Sequence, residues 1–307
     1  MNAGARGVND VAYPMGTASV PAKASADCPN CGVAAPGVTA TSPSGFVYAI
    51  GRISPQYPDL GVEKEFMQLG GGAGAGGGGV LDTDRLVEIL RDPATAYLAR
   101  QLCWVFSAGD ADAFVIAPRD DAQTKAIVDS LPRAERADQT LQVVVGAMGP
   151  PLPGAACAAA TLPTVVVDQQ LTFPVSDFLD ALAGDEAGGG KKAPGKADEK
   201  FRAAARDLFA RLTRRSDNRG VSDEHRAANY LALRYPQLYR LATDAYADEK
   251  TLTDVQVRRA QGGSRRVVAV RLAFRARRTD MVERYQCLVD VSDRFPFLSS
   301  PLAPVYD

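Results

Sequence analysis

The chain has 307 residues, 46% of them hydrophobic, and its 35 basic residues against 36 acidic ones leave a formal net charge of −1. That composition suits one large globular domain or two ordinary ones, and near-neutrality argues against nucleic acid as the main partner. No apolar run approaches the ~20 residues of a membrane helix. The opening residues MNAGARGVNDVAYPMG show no basic segment leading into an apolar one, so the expected location is cytoplasmic, with no membrane contact.

Residues 1–43 are rich in Ala, Gly, Ser, Pro and Thr without an apolar period, and read as a flexible arm carrying Cys28 and Cys31. Residues 46–50 are apolar and β-branched and end at Gly51, as a strand would. Residues 62–69 read as a helix. The glycine run 70–79 retains too much backbone freedom for a regular element and is expected to be a disordered loop. Asp82-Thr83-Asp84 caps a helix through RLVEILRD, and Pro93 opens ATAYLARQL. Residues 103–106 and 113–116, separated by an acidic turn with a glycine, suggest a strand or a hairpin. A helix over 122–130 and strands at 141–145 and 164–167 continue the alternation, giving the 44–184 portion an α/β character.

The stretch 185–198, DEAGGGKKAPGKAD, reads as a linker or insertion. An amphipathic helix over 201–215 follows, with Phe201, Ala205, Leu208, Phe209 and Leu212 on one side. Its arginines, Arg206 and Arg214 among them, read as a solvated face. Ser222 caps a second helix that Pro236 stops, and 237–247 reads as a third. Residues 255–257, 267–274 and 283–291 alternate apolar and polar positions and form an antiparallel meander. The expected fold class is therefore mixed α+β: an α/β half, a helical segment and a C-terminal β-meander, with 199–307 packed onto 44–184 as one domain.

Cys28-Pro-Asn-Cys31-Gly is the most chemically specific local feature, because a CxxC knuckle presents two thiolates on one turn. With five cysteines in a long chain, a disulfide framework is not expected. A redox role for CxxC needs a strand-to-helix setting, so metal binding is favoured. Cys103, Cys157, Cys287 and His225 are the candidates to complete a zinc site. Cys157 lies in a loop between two strands and is the best third ligand, whereas Cys103 and Cys287 sit in apolar runs where cysteine is usually core. His225 is the only histidine, which removes imidazole-pair chemistry. It reads as a residue satisfied by local hydrogen bonds.

Other motifs carry no chemistry. Gly16-Thr17-Ala18-Ser19 lacks the partners of a serine nucleophile, residues 70–79 lack the Lys and Ser/Thr of a phosphate loop, and Gly146-Ala147-Met148-Gly149 runs into prolines rather than a nucleotide-binding helix. Protease, ATP-dependent and NAD-dependent activities are therefore not expected. Asp120-Asp121 and the pair Asp110 and Asp112 read as turn residues.

The segments FVYAIGRISPQYPDLGVEKEF, YLARQLCWVF, VVVDQQLTFPVSDFL, DEHRAANYLALRYPQLY and VDVSDRFPFLSSPLAPVYD together resemble the C-terminal domain of unknown function of the cyanobactin maturation protease PatG, a domain related to one in PatA. The resemblance spans residues 45–307 and includes no subtilisin-like domain. It implies a mixed α/β domain tied to the maturation of ribosomally synthesised, post-translationally modified peptides. It also implies that Cys103 and Cys157 join Cys28 and Cys31 around a structural Zn2+. An alternative geometry has two protomers donating their knuckles to one zinc, making a homodimer clasp. The function expected on this reading is a non-catalytic accessory or scaffolding domain that binds a precursor peptide or a partner enzyme. The alternative is a peptide-modifying enzyme using polar residues of the matched motifs: Arg52, Glu63, Lys64, Glu65, Asp223, Glu224, His225, Arg226 and Asn229.

Overall fold

A computed structural model describes residues 45–70, 83–149, 162–186, 196–214, 217–260 and 264–306. The arm 1–43 with Cys28 and Cys31, nearly all of the glycine run, the segment with Cys157 and the centre of the 185–198 stretch lie outside them.

Five strands close into a barrel in the order β1-β2-β3-β5-β4: β1 Phe46–Gln56, β2 Cys103–Ala108, β3 Ala111–Ala117, β4 Thr140–Met148 and β5 Thr164–Pro174. All neighbours are antiparallel except β3 and β5, which pair in parallel over Val115–Ala117. Strands and helices alternate here as the sequence suggested, and β1 clasps both β2 and β4 antiparallel, which leaves no open edge.

Val47, Ala49, Ile53, Trp104, Phe106, Phe114, Ile116, Val144, Val165 and Val167 alternate along these strands and share one core with α1 (Leu60–Leu69), α2 (Thr83–Arg91) and α3 (Asp121–Ser130). The Phe106 and Phe114 rings stack at 4.6 Å within it. Asp59 caps α1 by accepting from Gly61 and Val62, and Asp120 caps α3 by accepting from Gln123, as short acceptors at helix starts do. The segment after Pro93 forms a single 3-10 turn, Ala96–Arg100, before the chain enters β2.

Four helices follow: α4 Val175–Glu186, α5 Lys196–Thr213, α6 Asp223–Arg234 and α7 Pro236–Ala247. Helix α4 was not expected, and α4 and α5 reach into the supposed linker from both ends. Ser222 caps α6 through the His225 N–H, and Pro236 opens α7 as its first residue, where a missing N–H costs nothing. The chain ends in an antiparallel sheet ordered β6-β7-β8-β9, with β6 Lys250–Arg259, β7 Val267–Ala276, β8 Val282–Asp290 and β9 Phe297–Val305. The meander thus has a fourth strand. Val268, Val270, Leu272, Phe274, Cys287 and Val289 face the helices and build the second core with Leu208, Leu212, Leu231, Leu238 and Tyr239. Helix α6 touches both β1 and the sheet strands β6 and β7.

Mixed α+β is therefore the observed fold class. Among the described residues no helix is long and apolar enough to cross a membrane.

Candidate functional site

Between Phe46 and Gly51 strand β1 is paired on one side by β4, while β2 joins its other side only from Arg52 onward. Buried backbone polar groups on that open side need other partners. Gly220 and Asn229 supply them: the Tyr48 N–H donates to the Gly220 carbonyl at 2.9 Å, and Asn229 Nδ2 donates to the Tyr48 carbonyl at 2.8 Å. Asn229 and Asn218 are buried and exchange side-chain hydrogen bonds at 2.8 and 3.2 Å. Asn218 also donates to the Thr213 carbonyl at 3.0 Å. Gly220 has φ 71°, and a Cβ there would stand 2.5 Å from Ala49 Cα and 2.6 Å from the Tyr48 carbonyl oxygen. Only glycine permits that approach.

This stitching fixes the loop 217–220 as one wall of a cleft of about 790 Å³. Gly51 shapes the opposite wall. A Cβ on it would lie 2.8 Å from a Phe106 ring carbon and collide with the Ser107 carbonyl, so its absence lets the β2–β3 turn, residues 107–111, close against β1. Helix α5 forms the third side, presenting Arg206, Phe209, Ala210, Thr213 and Arg214 at helical spacing. Ile50, Leu141, Val175 and Phe209 supply apolar floor, and the rim is charged.

Arg52 Nη2 donates to the Asp138 carbonyl at 2.9 Å and lies 3.6 Å from its carboxylate. Arg219 pairs with Asp217 at 3.1 Å. Arg206 and Arg214 are exposed and make no ion pair among the described residues, and Asp110 lines the mouth. The α5 arginines therefore divide. Arg202 and Arg211 pair with Asp180 and Asp207 on the solvated face expected from the sequence, whereas Arg206 and Arg214 border the cleft.

A second polar cluster joins α6 to the sheet. Arg226 is fully buried and donates to the carbonyls of Val291 at 2.8 Å and Arg294 at 3.1 Å and to that of Asp293. Burial, helped by the Arg266 cation and opposed by Asp223 and Asp293, pulls its pKa down to about 10. Its guanidinium also lies 5.4 Å from the Phe46 ring centroid, a cation–π contact. Asp223, nearly buried, receives Arg259 at 2.6 Å and Arg266 at 3.1 Å. Asp168 of β5 pairs with Arg119 and, at 3.0 Å, with Arg294. These groups fasten barrel, α6 and sheet together.

The residues of the enzymatic alternative on α6 do not line the cleft. Arg52 lines the cleft, Asp223, Arg226 and Asn229 are committed to the structural contacts above, and Glu65 on α1 accepts from the Tyr97 hydroxyl at 2.7 Å. His225 is half-buried in the first turn of α6, with its backbone N–H on the Ser222 hydroxyl. Asp120 and Asp121 serve as a helix cap and as the partner of Arg100, and Asp112 accepts from Ser107.

Of the proposed zinc ligands, Cys28, Cys31 and Cys157 lie outside the described residues. Cys103 opens β2. It does not join the main cores but is buried in a small outer cluster with Val105 and Val115, against which Leu162 packs. Cys287 is a free thiol buried in β8 and pushed up to about 12 by burial, as expected of a core cysteine. No group of three or more metal-ligating side chains occurs among the described residues.

Barrel, helical layer and open antiparallel sheet define an α+β domain with a charged cleft at the junction of its parts. Residues 195–305, from α5 to the last strand, match the family model described as PatG C-terminal. A solved structure described as "PatG Domain of Unknown Function" superposes with a TM-score of 0.63 over 85% of this chain and 99% of its own, at 17% identity. The likeness read from the sequence motifs is therefore borne out, by sequence over the C-terminal part and by fold over most of the chain. No curated protein matches the chain.

Proposed function

We propose that the protein is an accessory domain in the maturation of ribosomally synthesised, post-translationally modified peptides of the cyanobactin kind, and that it holds a segment of precursor peptide in the cleft between β1, the β2–β3 turn and α5. The observation that carries this reading is the pairing of an apolar floor with the two uncommitted guanidiniums of Arg206 and Arg214. Apolar pockets with a few placed polar groups recognise and orient ligands. The charged groups of the rim are arginines and aspartates, which suit recognition of an extended peptide carrying acidic and apolar side chains. The loop 217–220 is pinned by buried amides, so the wall is preformed and little ordering entropy is lost on binding.

Titration calorimetry of the precursor peptide against the wild type and an Arg206→Glu/Arg214→Glu variant tests this. Wild-type binding that weakens at least tenfold in the variant, with the peptide mass unchanged after prolonged incubation, supports a binding module. Equal binding by both, or a change in peptide mass with this protein alone, overturns it.

A structural zinc held by Cys28, Cys31, Cys103 and Cys157 belongs to the same proposal. Cys103 is turned away from the barrel core toward Leu162, and Cys157 lies only five positions before that residue in the chain, so the outer side of β2 suits a shared thiolate site. Cys103 stands here in the disulfide form, whereas zinc takes the reduced thiolate. Metal content and oligomeric mass of reduced protein, with Cys28→Ser and Cys157→Ser, provide the test. One zinc per chain, lost in both variants at unchanged mass, supports the intrachain site. Half a zinc per chain in a dimer that falls apart on chelation replaces it by the intersubunit clasp, and no metal removes the zinc altogether.

A further inference from the structure

Among the described residues the helices cover one face of the sheet β6-β7-β8-β9 and leave the other open. Val268, Val270, Leu272 and Phe274 of β7 point into that covered core, so the intervening Arg271, Ala273 and Arg275 stand on the opposite face. The register sets Arg284 of β8 directly across from Ala273, and Asp254 of β6 across from it on the other side. A small residue ringed by long ones leaves a hollow, and the face has one of about 380 Å³ over Ala273. Arg271 is held in place by Gln286, which accepts from its Nε and Nη2 at 3.2 and 3.0 Å. Asp254 is engaged by Gln256 at 2.7 Å. Arg275 is exposed and has no ion pair among the described residues. Three guanidiniums thus border a hollow that contains one carboxylate.

We propose that this face is a docking surface for an acidic polypeptide segment of a partner protein, with a carboxylate side chain seated over Ala273 among Arg271, Arg275 and Arg284. The surface is separate from the cleft and does not depend on the precursor-peptide reading. Guanidinium groups match carboxylates in planar, two-pronged geometry, and the charge on the face is complementary to an acidic chain. A second copy of this protein does not fit, because a twofold contact would set the same three arginines against each other. Single-stranded nucleic acid fits poorly, since the residues lining the hollow include no aromatic ring on which a base could stack.

The test uses fluorescence anisotropy with a fluorescein-labelled ten-residue peptide alternating Glu and Val, titrated with full-length protein at low and high salt. The expected result, measured in the Arg206→Glu/Arg214→Glu background where the cleft no longer takes up acidic segments, is saturable, salt-sensitive binding that weakens at least tenfold on adding Arg275→Gln/Arg284→Gln. Circular dichroism should show the same fold for all, because the substituted side chains point away from the core. Absence of saturable binding overturns the proposal, as does binding in that background that Arg275→Gln/Arg284→Gln leaves unchanged. A ten-nucleotide single strand that binds more tightly than the peptide, through the same arginines, also overturns it in favour of nucleic acid.

Discussion

Replacing Asn229 by Ala tests whether the cleft wall is held by the buried amide pair. Asn229 is fully buried, and its side chain is the partner of the Tyr48 carbonyl and of the Asn218 side-chain oxygen. Truncation leaves both acceptors buried and unpaired, whereas Asn218 Nδ2 keeps the Thr213 carbonyl. Each orphaned buried group costs about 1–3 kcal/mol, so the loss should be about 4 kcal/mol. In a domain of this size that corresponds to a fall in melting temperature of roughly 7 °C. Urea denaturation gives the energy, and an unchanged m-value confirms that the same surface unfolds. Asn229→Asp should do no better, because a carboxylate cannot donate to the Tyr48 carbonyl and would place a charge beside it. Hydrogen exchange supplies the local readout: the Tyr48 amide, which donates to Gly220, should lose protection before the rest of β1. A loss below about 1 kcal/mol with normal Tyr48 protection would refute the argument that this pair locks the loop.

Gly220→Ala should destabilise the fold by about 1–3 kcal/mol, because its positive φ and the 2.5 Å approach to Ala49 both exclude a Cβ; calorimetric melting measures it. Arg226→Met should cost about 3–5 kcal/mol, since it deserts the Val291, Asp293 and Arg294 carbonyls, and a urea titration will report the loss. Stability should fall as pH rises from about 9, because burial keeps the Cys287 thiol protonated up to about 12 in the folded state while the unfolded thiol ionises earlier. That contribution is complete below the unfolded pKa and disappears as pH passes through the folded one. Cys287→Ala should flatten the alkaline slope by at most about 1.4 kcal/mol per pH unit, whatever its effect at neutral pH.

Helices α6 and α7 were legible because their signals are local: the Ser222 cap, the apolar spacing through Leu231 and the stop at Pro236 all lie within a few residues. The caps Asp59 and Asp120 were not picked out: Asp120 was read as a turn residue, since the same acceptor serves turns and helix starts. Barrel closure was not legible, because it rests on β1 pairing with strands at least 47 residues away, and no local pattern distinguishes a strand with two antiparallel neighbours from one in a parallel sheet. Strand β9 was hidden by Pro301 and Pro304, residues that depress strand propensity yet are tolerated at a sheet edge. Helix α4 was missed although VSDFLDAL has helical apolar spacing, because it directly follows a strand without a turn signal. Within the site, the arginines of α5 were visible as a set. Which of them face solvent and which border the cleft depends on how the loop 217–220 and the β2–β3 turn approach α5, and that is tertiary information.

The near-neutral net charge conceals a segregation of charge that matters for recognition. Asp168 and Asp223, each only 10% exposed, take up Arg119, Arg294, Arg226, Arg259 and Arg266 between them. These pairs lie at the joints of barrel, α6 and sheet. Removing one partner of such a pair leaves an uncompensated buried charge, so they stabilise the assembly of parts and are closed to a ligand. Of the exposed arginines without an ion pair among the described residues, Arg206, Arg214 and Arg275 lie around concave surfaces, whereas Arg133, Arg136, Arg258 and Arg278 line neither of them. A field of that kind acts over a Debye length of about 8 Å in physiological salt, so a partner senses the local arginines rather than the molecular total. Sequence-level charge balance speaks to solubility and long-range steering. For this fold the charge that decides what binds is the part its own carboxylates leave uncancelled.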